Sequence, residues 1–325
     1  MLIDRKFCVA PMMDWTDRHC RYFLRIMSQH SVLYTEMVTT GAILHGDSHR
    51  HLAMHQDESP VALQLGGSEP SDLARACKIA SSYSYSEINL NCGCPSDRVQ
   101  NGRFGAVMMK HASTTATCVK AMRDASPIPI TVKHRIGVDE HDSYAFLSDF
   151  VGTVAEAGCK VFIVHARKAW LQGMSPKQNR EIPPLNYARV YQLKHDFPDL
   201  SIIINGGIST TSQAAQHLDQ LDGVMMGREA YTNPYILATV DREFFGCTKA
   251  SKSRLEIANE LVPYIEHELS HGVKLHAMTR HILGLFHGMP NARLFRRHLS
   301  ENAHKPNANI DVFIDALAKT TGTQT

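Results

Sequence analysis

Short apolar runs rich in β-branched residues recur along the N-terminal two thirds of the chain, and stretches with helical spacing separate them. The runs fall at residues 7–10, 32–35, 61–65, 88–91, 130–133, 161–165, 202–205 and 223–226. Amphipathic stretches lie between them, among them residues 71–82, 113–125, 144–157, 186–195 and 211–218. Strict alternation of strand and helix predicts a parallel sheet covered by helices. Eight such units favour a closed α/β barrel, a (β/α)8 TIM barrel, over an open doubly wound sheet. Polar and sulfur-bearing residues gather where the runs finish: Met12, Met13, Glu36, Gln64, Asn91, Lys133, His165, Asn205 and Arg228. All strands of a barrel end at one face, so these residues are expected around a single mouth.

The alternation stops after about Ile236, and from Ser251 onward the pattern is helical throughout. Candidate helices cover residues 255–270, 276–286, 291–302 and 311–319, punctuated by Gly272, Gly288 and Pro306. The expected organisation is a barrel over residues 1–240 and an all-helical C-terminal domain over 241–325, with a frayed tail from residue 320. Two connections are long for a barrel, residues 134–143 and 168–185. Both follow strands and should overhang the mouth, where long loops usually bind or cover ligands.

Composition narrows the setting. The apolar share of 43% supports a sizeable core, and 325 residues suit a barrel of about 250 plus an appendix. No run reaches the roughly 18 apolar residues of a spanning helix, and the N-terminus lacks a secretory pattern. A cytoplasmic, monomeric protein with reduced thiols is expected. The eight cysteines include no C-x-x-C pair, so no metal site is expected. A net charge of +2 is too small to announce a nucleic-acid partner, so any basic surface must be local.

The strand ends carry the chemistry. Asn205-Gly206-Gly207 closes the seventh run and Gly227-Arg228 the eighth. In barrels these two loops commonly cradle a phosphate through backbone N–H groups, and Arg228 could add a charged clamp. Gln64, Lys133 and His165 close the third, fifth and sixth runs; a glutamine can donate to and accept from a heterocycle edge. Pro11-Met12-Met13 offers soft apolar surface for a flat ring. The phrase Asn89-Leu90-Asn91-Cys92-Gly93-Cys94-Pro95 presents Cys94 just past a strand end. Composition alone leaves that thiol open as nucleophile, metal ligand, acid or inert group. An unperturbed thiol, near a pKa of about 8.5, keeps its proton at neutral pH and suits an acid. Cys92 reads as its structural neighbour.

These motifs, taken in order with Ala10-Pro11-Met12, Gln64-Leu65, Thr131-Val132-Lys133 and His165-Ala166-Arg167, resemble the tRNA-dihydrouridine synthases, and they span the barrel. The stretch from Lys168-Ala169-Trp170-Leu171 to Ser175-Pro176-Lys177-Gln178-Asn179-Arg180 resembles the A subfamily, whose uridines are 20 and 20a of the tRNA D-loop. The helical tail is similar to the family's RNA-binding domain. The resemblance implies FMN reduced by NADPH. It implies that Pro11, Met12, Met13, Gln64, Lys133, His165, Asn205, Gly206, Gly207, Gly227 and Arg228 surround FMN. It further implies Cys94 as proton donor, with Asn91 helping to hold the base. The chain departs from many members at Gly207, where they carry an acidic residue, so no side-chain contact carries over there.

Uracil's C5=C6 bond is conjugated to the C4 carbonyl, so hydride should add at C6 and an acid should protonate C5 from the opposite face. Lys133, His165 or Arg167 could stabilise the enolate charge that develops. The target base must leave its stack, which is cheapest in a single-stranded loop. Arg293, Arg296 and Arg297, at spacings of three and four, share one helix face. With Lys177, Arg180 and Arg167 they make the expected tRNA-contacting set. Three other readings use the same residues. One is an FMN barrel that reduces a small conjugated substrate of dihydroorotate or enone type. Another is a Schiff-base aldolase with Lys133 as nucleophile. The last is a tRNA binder without catalysis.

Overall fold

The alternation of buried β-branched runs and amphipathic helices closes into a barrel in the computed structural model, which describes residues 3–96, 99 and 102–321. Eight parallel strands follow one another in chain order: β1 Phe7–Val9, β2 Val32–Thr39, β3 Val61–Gly66, β4 Glu87–Cys92, β5 Ile130–Arg135, β6 Val161–His165, β7 Ser201–Asn205 and β8 Gly223–Met226. β1 pairs with β8 through Phe7 and Val224, which completes the cylinder. The helices on its outside are α1 Arg18–Met27, α2 Thr40–His45, α3 Ser48–Leu52, α4 Pro70–Ala80, α5 Ala112–Ala125, α6 Tyr144–Glu156, α7 Tyr187–Asp196, α8 Thr211–Leu218, α9 Arg228–Thr232 and α10 Val240–Phe245. Each strand buries one set of alternate side chains against these helices and turns the other set into the barrel.

The helical region comprises α11 Arg254–Ser270, α12 Leu275–Thr279, α13 Ala292–Asn302 and α14 Ile310–Thr321. Ser253 and Glu256 form a reciprocal capping box that fixes the start of α11. The region docks on α1: Tyr264 stacks on Tyr22 with ring centroids 3.8 Å apart. Asp17, which caps the start of α1, also receives Arg280 at 2.6 Å and His281 at 3.0 Å. α10 packs instead against the barrel, with Phe244 stacked on Phe7 at 5.5 Å.

Two expectations need correction. The single helix foreseen over residues 276–286 is only α12, followed by turns. Gly284 lies inside the foreseen helix, where glycine's backbone freedom disfavours helix, and it packs so closely that a Cβ there would lie 2.4 Å from the Thr232 carbonyl oxygen. The last helix continues to Thr321, beyond the expected end at 319; residues 322–325 of the foreseen tail lie outside the described residues. Among the described residues, no helix is long and apolar enough to cross a membrane.

Candidate active site

The C-terminal ends of the strands open into a cleft of about 790 Å³, within the size range of small-molecule and cofactor sites. One wall is backbone. Gly206 and Gly207 adopt φ of +113° and +74°, a turn that side-chain-bearing residues rarely make. A Cβ at Gly206 would strike the His165 ring at 2.6 Å, and one at Gly207 would strike Leu185 at 2.5 Å. The Tyr187 hydroxyl donates to the Gly206 carbonyl at 2.7 Å and steadies the turn. Gly227 stands beside it as the N-cap of α9, with no side-chain cap on the N–H groups that follow. Arg228 leans across the opening to Glu181 on the long β6–α7 loop, at 2.5 Å.

The floor carries basic side chains. Lys133 and His165 rise from β5 and β6, and Lys133 donates to Asn205 Oδ1 at 3.0 Å. Burial and the neighbouring Arg135 push the Lys133 ammonium down to about 7. Burial, with Arg135, Lys133, Arg167 and Arg180 around it, holds the His165 imidazole well below its ordinary range, so it is neutral. The basic groups Lys133, Arg135, Arg180 and Arg228 outnumber the carboxylates Asp14 and Glu229 in the lining, which suits an anionic or electron-rich ligand. Pro11 and Met12 supply apolar wall, and Met13 stands 55% exposed at the rim.

The opposite wall carries Cys94. The backbone of Gly93 and Cys94 is tied by four hydrogen bonds. Asn91 Oδ1 accepts from the N–H groups of Gly93 at 3.0 Å and Cys94 at 2.9 Å. Ala106 N donates to the Cys94 carbonyl at 2.9 Å, and Arg135 Nε donates to the Gly93 carbonyl at 2.9 Å. The Cys94 thiol is half-buried, faces the cleft and lies 3.4 Å from the Ser96 hydroxyl. Cys92 points the other way, fully buried, and burial pushes its thiol well above the ordinary range.

The cleft therefore brings together Cys94, Asn91, Arg180 and all eleven residues expected around a cofactor. Arg167 and Lys177 do not line it: Arg167 donates to the Pro183 carbonyl, and Lys177 is exposed on the loop. Arg293, Arg296 and Arg297 form an exposed face of α13, apart from the cleft. Sequence reasoning passed over Arg135, which also donates to the carbonyls of Lys168 and Asn179 and so joins the Cys94 loop to the long loop. Its position two residues past Lys133, on the same strand face, was the available signal. The buried Asn179 organises the long loop by pairing with both N–H and carbonyl of Trp170.

The chain resembles known proteins along nearly its whole length. Residues 8–321 match the family described as Dihydrouridine synthase (Dus). The tRNA-dihydrouridine(20/20a) synthase of Vibrio cholerae is 60% identical over 315 residues, covering 97% of this chain and 96% of that protein. The protein of the same name from Yersinia pestis is 61% identical over 315 residues, covering 97% and 91%. That from Shigella flexneri is 61% identical over 313 residues, covering 96% and 92%. Morphinone reductase in complex with tetrahydroNAD shares the fold, with a TM-score of 0.51 at 12% identity over 76% of this chain and 88% of that one. The chain belongs to the dihydrouridine synthase family.

Proposed function

We propose that this protein reduces uridine to 5,6-dihydrouridine in the D-loop of tRNA, at positions 20 and 20a, with FMN as cofactor and NADPH as reductant. The relatives' shared name supports the substrate, and the donor set of the cleft suits FMN. The N–H groups of Gly206, Gly207 and Gly227 with Arg228 would hold the phosphate. Arg228 would exchange Glu181 for it. Gln64, Lys133, His165 and Met12 would hold the ring, and Lys133 offers an ammonium that gains most from an anionic partner. When bound, FMN supplies the hydride that reduces C6 of the uracil.

The chain's own residues supply the rest. Cys94 delivers the proton to C5 from the wall facing the glycine cradle, and this juxtaposition across one cleft is the observation that carries the proposal. Asn91 acts through the loop, since its Oδ1 accepts from the N–H groups of both Gly93 and Cys94. Arg135 and Lys133 would favour the enolate charge that forms before C5 is protonated. Arg180 at the rim, Lys177 and Arg167 nearby, and the exposed Arg293, Arg296 and Arg297 would meet RNA phosphates. We assign catalysis to the barrel and RNA binding to the helical region beyond α10, with residues 246–253 as the link.

Purified protein given FMN, NADPH and unmodified tRNA should form dihydrouridine at positions 20 and 20a, read by mass mapping of nuclease fragments. Reduction of free uridine or small enones with no product in tRNA would refute the assignment and favour a small-substrate reductase.

A further inference from the structure

The barrel interior holds a column of buried polar side chains whose upper members, Gln64 and Asn91, line the cleft and whose lower members, Glu87, Thr131 and Asn89, have no part in the site chemistry described above. It begins at the floor with the Arg5–Glu87 ion pair, at 2.7 Å. Glu87 Oε1 accepts from the hydroxyls of Tyr34 at 2.7 Å and Thr131 at 2.6 Å. Thr131 in turn accepts from Asn89 Nδ2 at 2.8 Å. Asn89 Oδ1 accepts from Gln64 Nε2 at 2.9 Å, and Gln64 Oε1 accepts from Asn91 Nδ2 at 2.8 Å. Asn91 Oδ1 ends the column on the N–H groups of Gly93 and Cys94. Glu87, Asn89 and Thr131 are entirely buried.

Both ends demand the same direction. A carboxylate can only accept, so Thr131 must donate to it and has only a lone pair left for Asn89. At the top the backbone N–H groups can only donate, so Asn91 must turn its oxygen to them and its NH2 to Gln64. Each amide between has one orientation that satisfies both neighbours. A flip anywhere would set NH2 against N–H or oxygen against oxygen in a buried site, at a cost comparable to a lost hydrogen bond per mismatch.

We propose that Glu87, Thr131 and Asn89 are positioning residues for the proton donor, holding the Cys94 loop through a one-way chain of hydrogen bonds anchored on the Arg5–Glu87 pair. This rests on the assignment of Cys94 as proton donor. The column ends on the loop that carries the thiol; Gln64 is its one link shared with the cofactor side of the cleft, and RNA binding is left to other groups.

Thr131→Val tests it, because valine keeps the shape and the strand preference while removing both hydrogen bonds. The rate of uridine reduction by the pre-reduced enzyme should fall roughly tenfold, as small misplacements of a reacting group do. The KM for tRNA should stay at the wild-type value, and the rate of flavin reduction by NADPH should change by less than the rate of uridine reduction. Amide exchange at Gly93 and Cys94 should speed up by about tenfold or more, with other slow amides unchanged. Thr131→Ser, which keeps the hydroxyl, should restore both. Glu87→Gln, which keeps the shape but no longer only accepts, gives a second reading should the valine variant fold poorly. Wild-type turnover and exchange in Thr131→Val, beside a Cys94→Ala variant that has lost turnover, would overturn the column. Wild-type turnover in Cys94→Ala would instead remove the donor assignment, and the exchange at Gly93 and Cys94 would still report whether the column holds the loop.

Discussion

The two sides of the barrel interior are built from different interactions. On one side, β3, β4 and β5 contribute Gln64, Asn89, Asn91 and Thr131, joined hydrogen bond by hydrogen bond up to the Cys94 loop. Facing them lies an apolar cluster that includes Cys8, Val32, Ile163, Ile203 and Met225. Apolar contact is non-directional, so the cluster stabilises the cylinder without dictating where any one atom sits. The polar side has a single satisfied arrangement and therefore transmits position to its end. Stability and placement are thus divided between the two sides, and each can be disturbed alone.

The sharpest cut is at the column's upper end. Cys94→Ala should lower turnover with tRNA by about a hundredfold or more, the typical contribution of a general acid. Its thermal midpoint should match wild type and FMN should remain bound. Normal dihydrouridine formation would dissolve the link between the polar side and the chemistry. On the apolar side the reverse is expected. Ile203→Ala should cost about 2–5 kcal/mol of stability in denaturant titration, because it leaves a cavity at a fully buried site. Turnover per folded molecule should not change.

Lys133 stands where the two sides meet the cleft, and pH separates its effects. Its pKa of about 7 in the fold lies below the ordinary lysine value of 10.5. Below pH 7 folded and unfolded chains both carry the charge, and the fold bears the full penalty of burying it. Between about pH 7 and 10.5 the unfolded chain binds the extra proton, so this group makes the ligand-free protein more stable as pH rises. Thermal melts of Lys133→Met should lack that rise. An anionic ligand that re-protonates Lys133 takes up a proton, so FMN affinity should fall by up to about tenfold per pH unit above 7, a dependence that titrations of Lys133→Met should not show. The smallest effect lies outside both sides. Arg293→Ala with Arg296→Ala should weaken tRNA binding several-fold and flatten its salt dependence, while flavin reduction by NADPH is untouched. Unaltered affinity would remove α13 from the RNA-binding surface.

Much of the barrel was legible because its signals are local. A β-branched run bounded by turns identifies a strand whatever surrounds it, and the runs at residues 161–165 and 223–226 coincide with β6 and β8. Strand-end residues such as Gln64, Lys133 and Asn205 were legible for the same reason: once the strands are parallel, their ends must meet. The region of residues 276–286 was misread because helical spacing outweighed the helix-weakening Gly284, a glycine whose close packing on Thr232, 52 positions distant in sequence, only the structure reveals. Arg228 looked free to clamp a phosphate, whereas its ligand-free partner, Glu181, comes from another loop.

By itself the sequence determined the βα repeat, the glycine turns at the cradle and the placement of Cys94 directly after a strand, all of which follow from steric preference and periodicity within a few residues. Only the tertiary structure decided which side chain meets which across strands. β4 pairs with β3 and β5 in one register, bringing Asn89 opposite both Gln64 and Thr131. A shift of β4 by one residue would have turned Glu87, Asn89 and Asn91 outward, because side chains alternate with period two while hydrogen bonds between strands depend on a closure that no single strand contains.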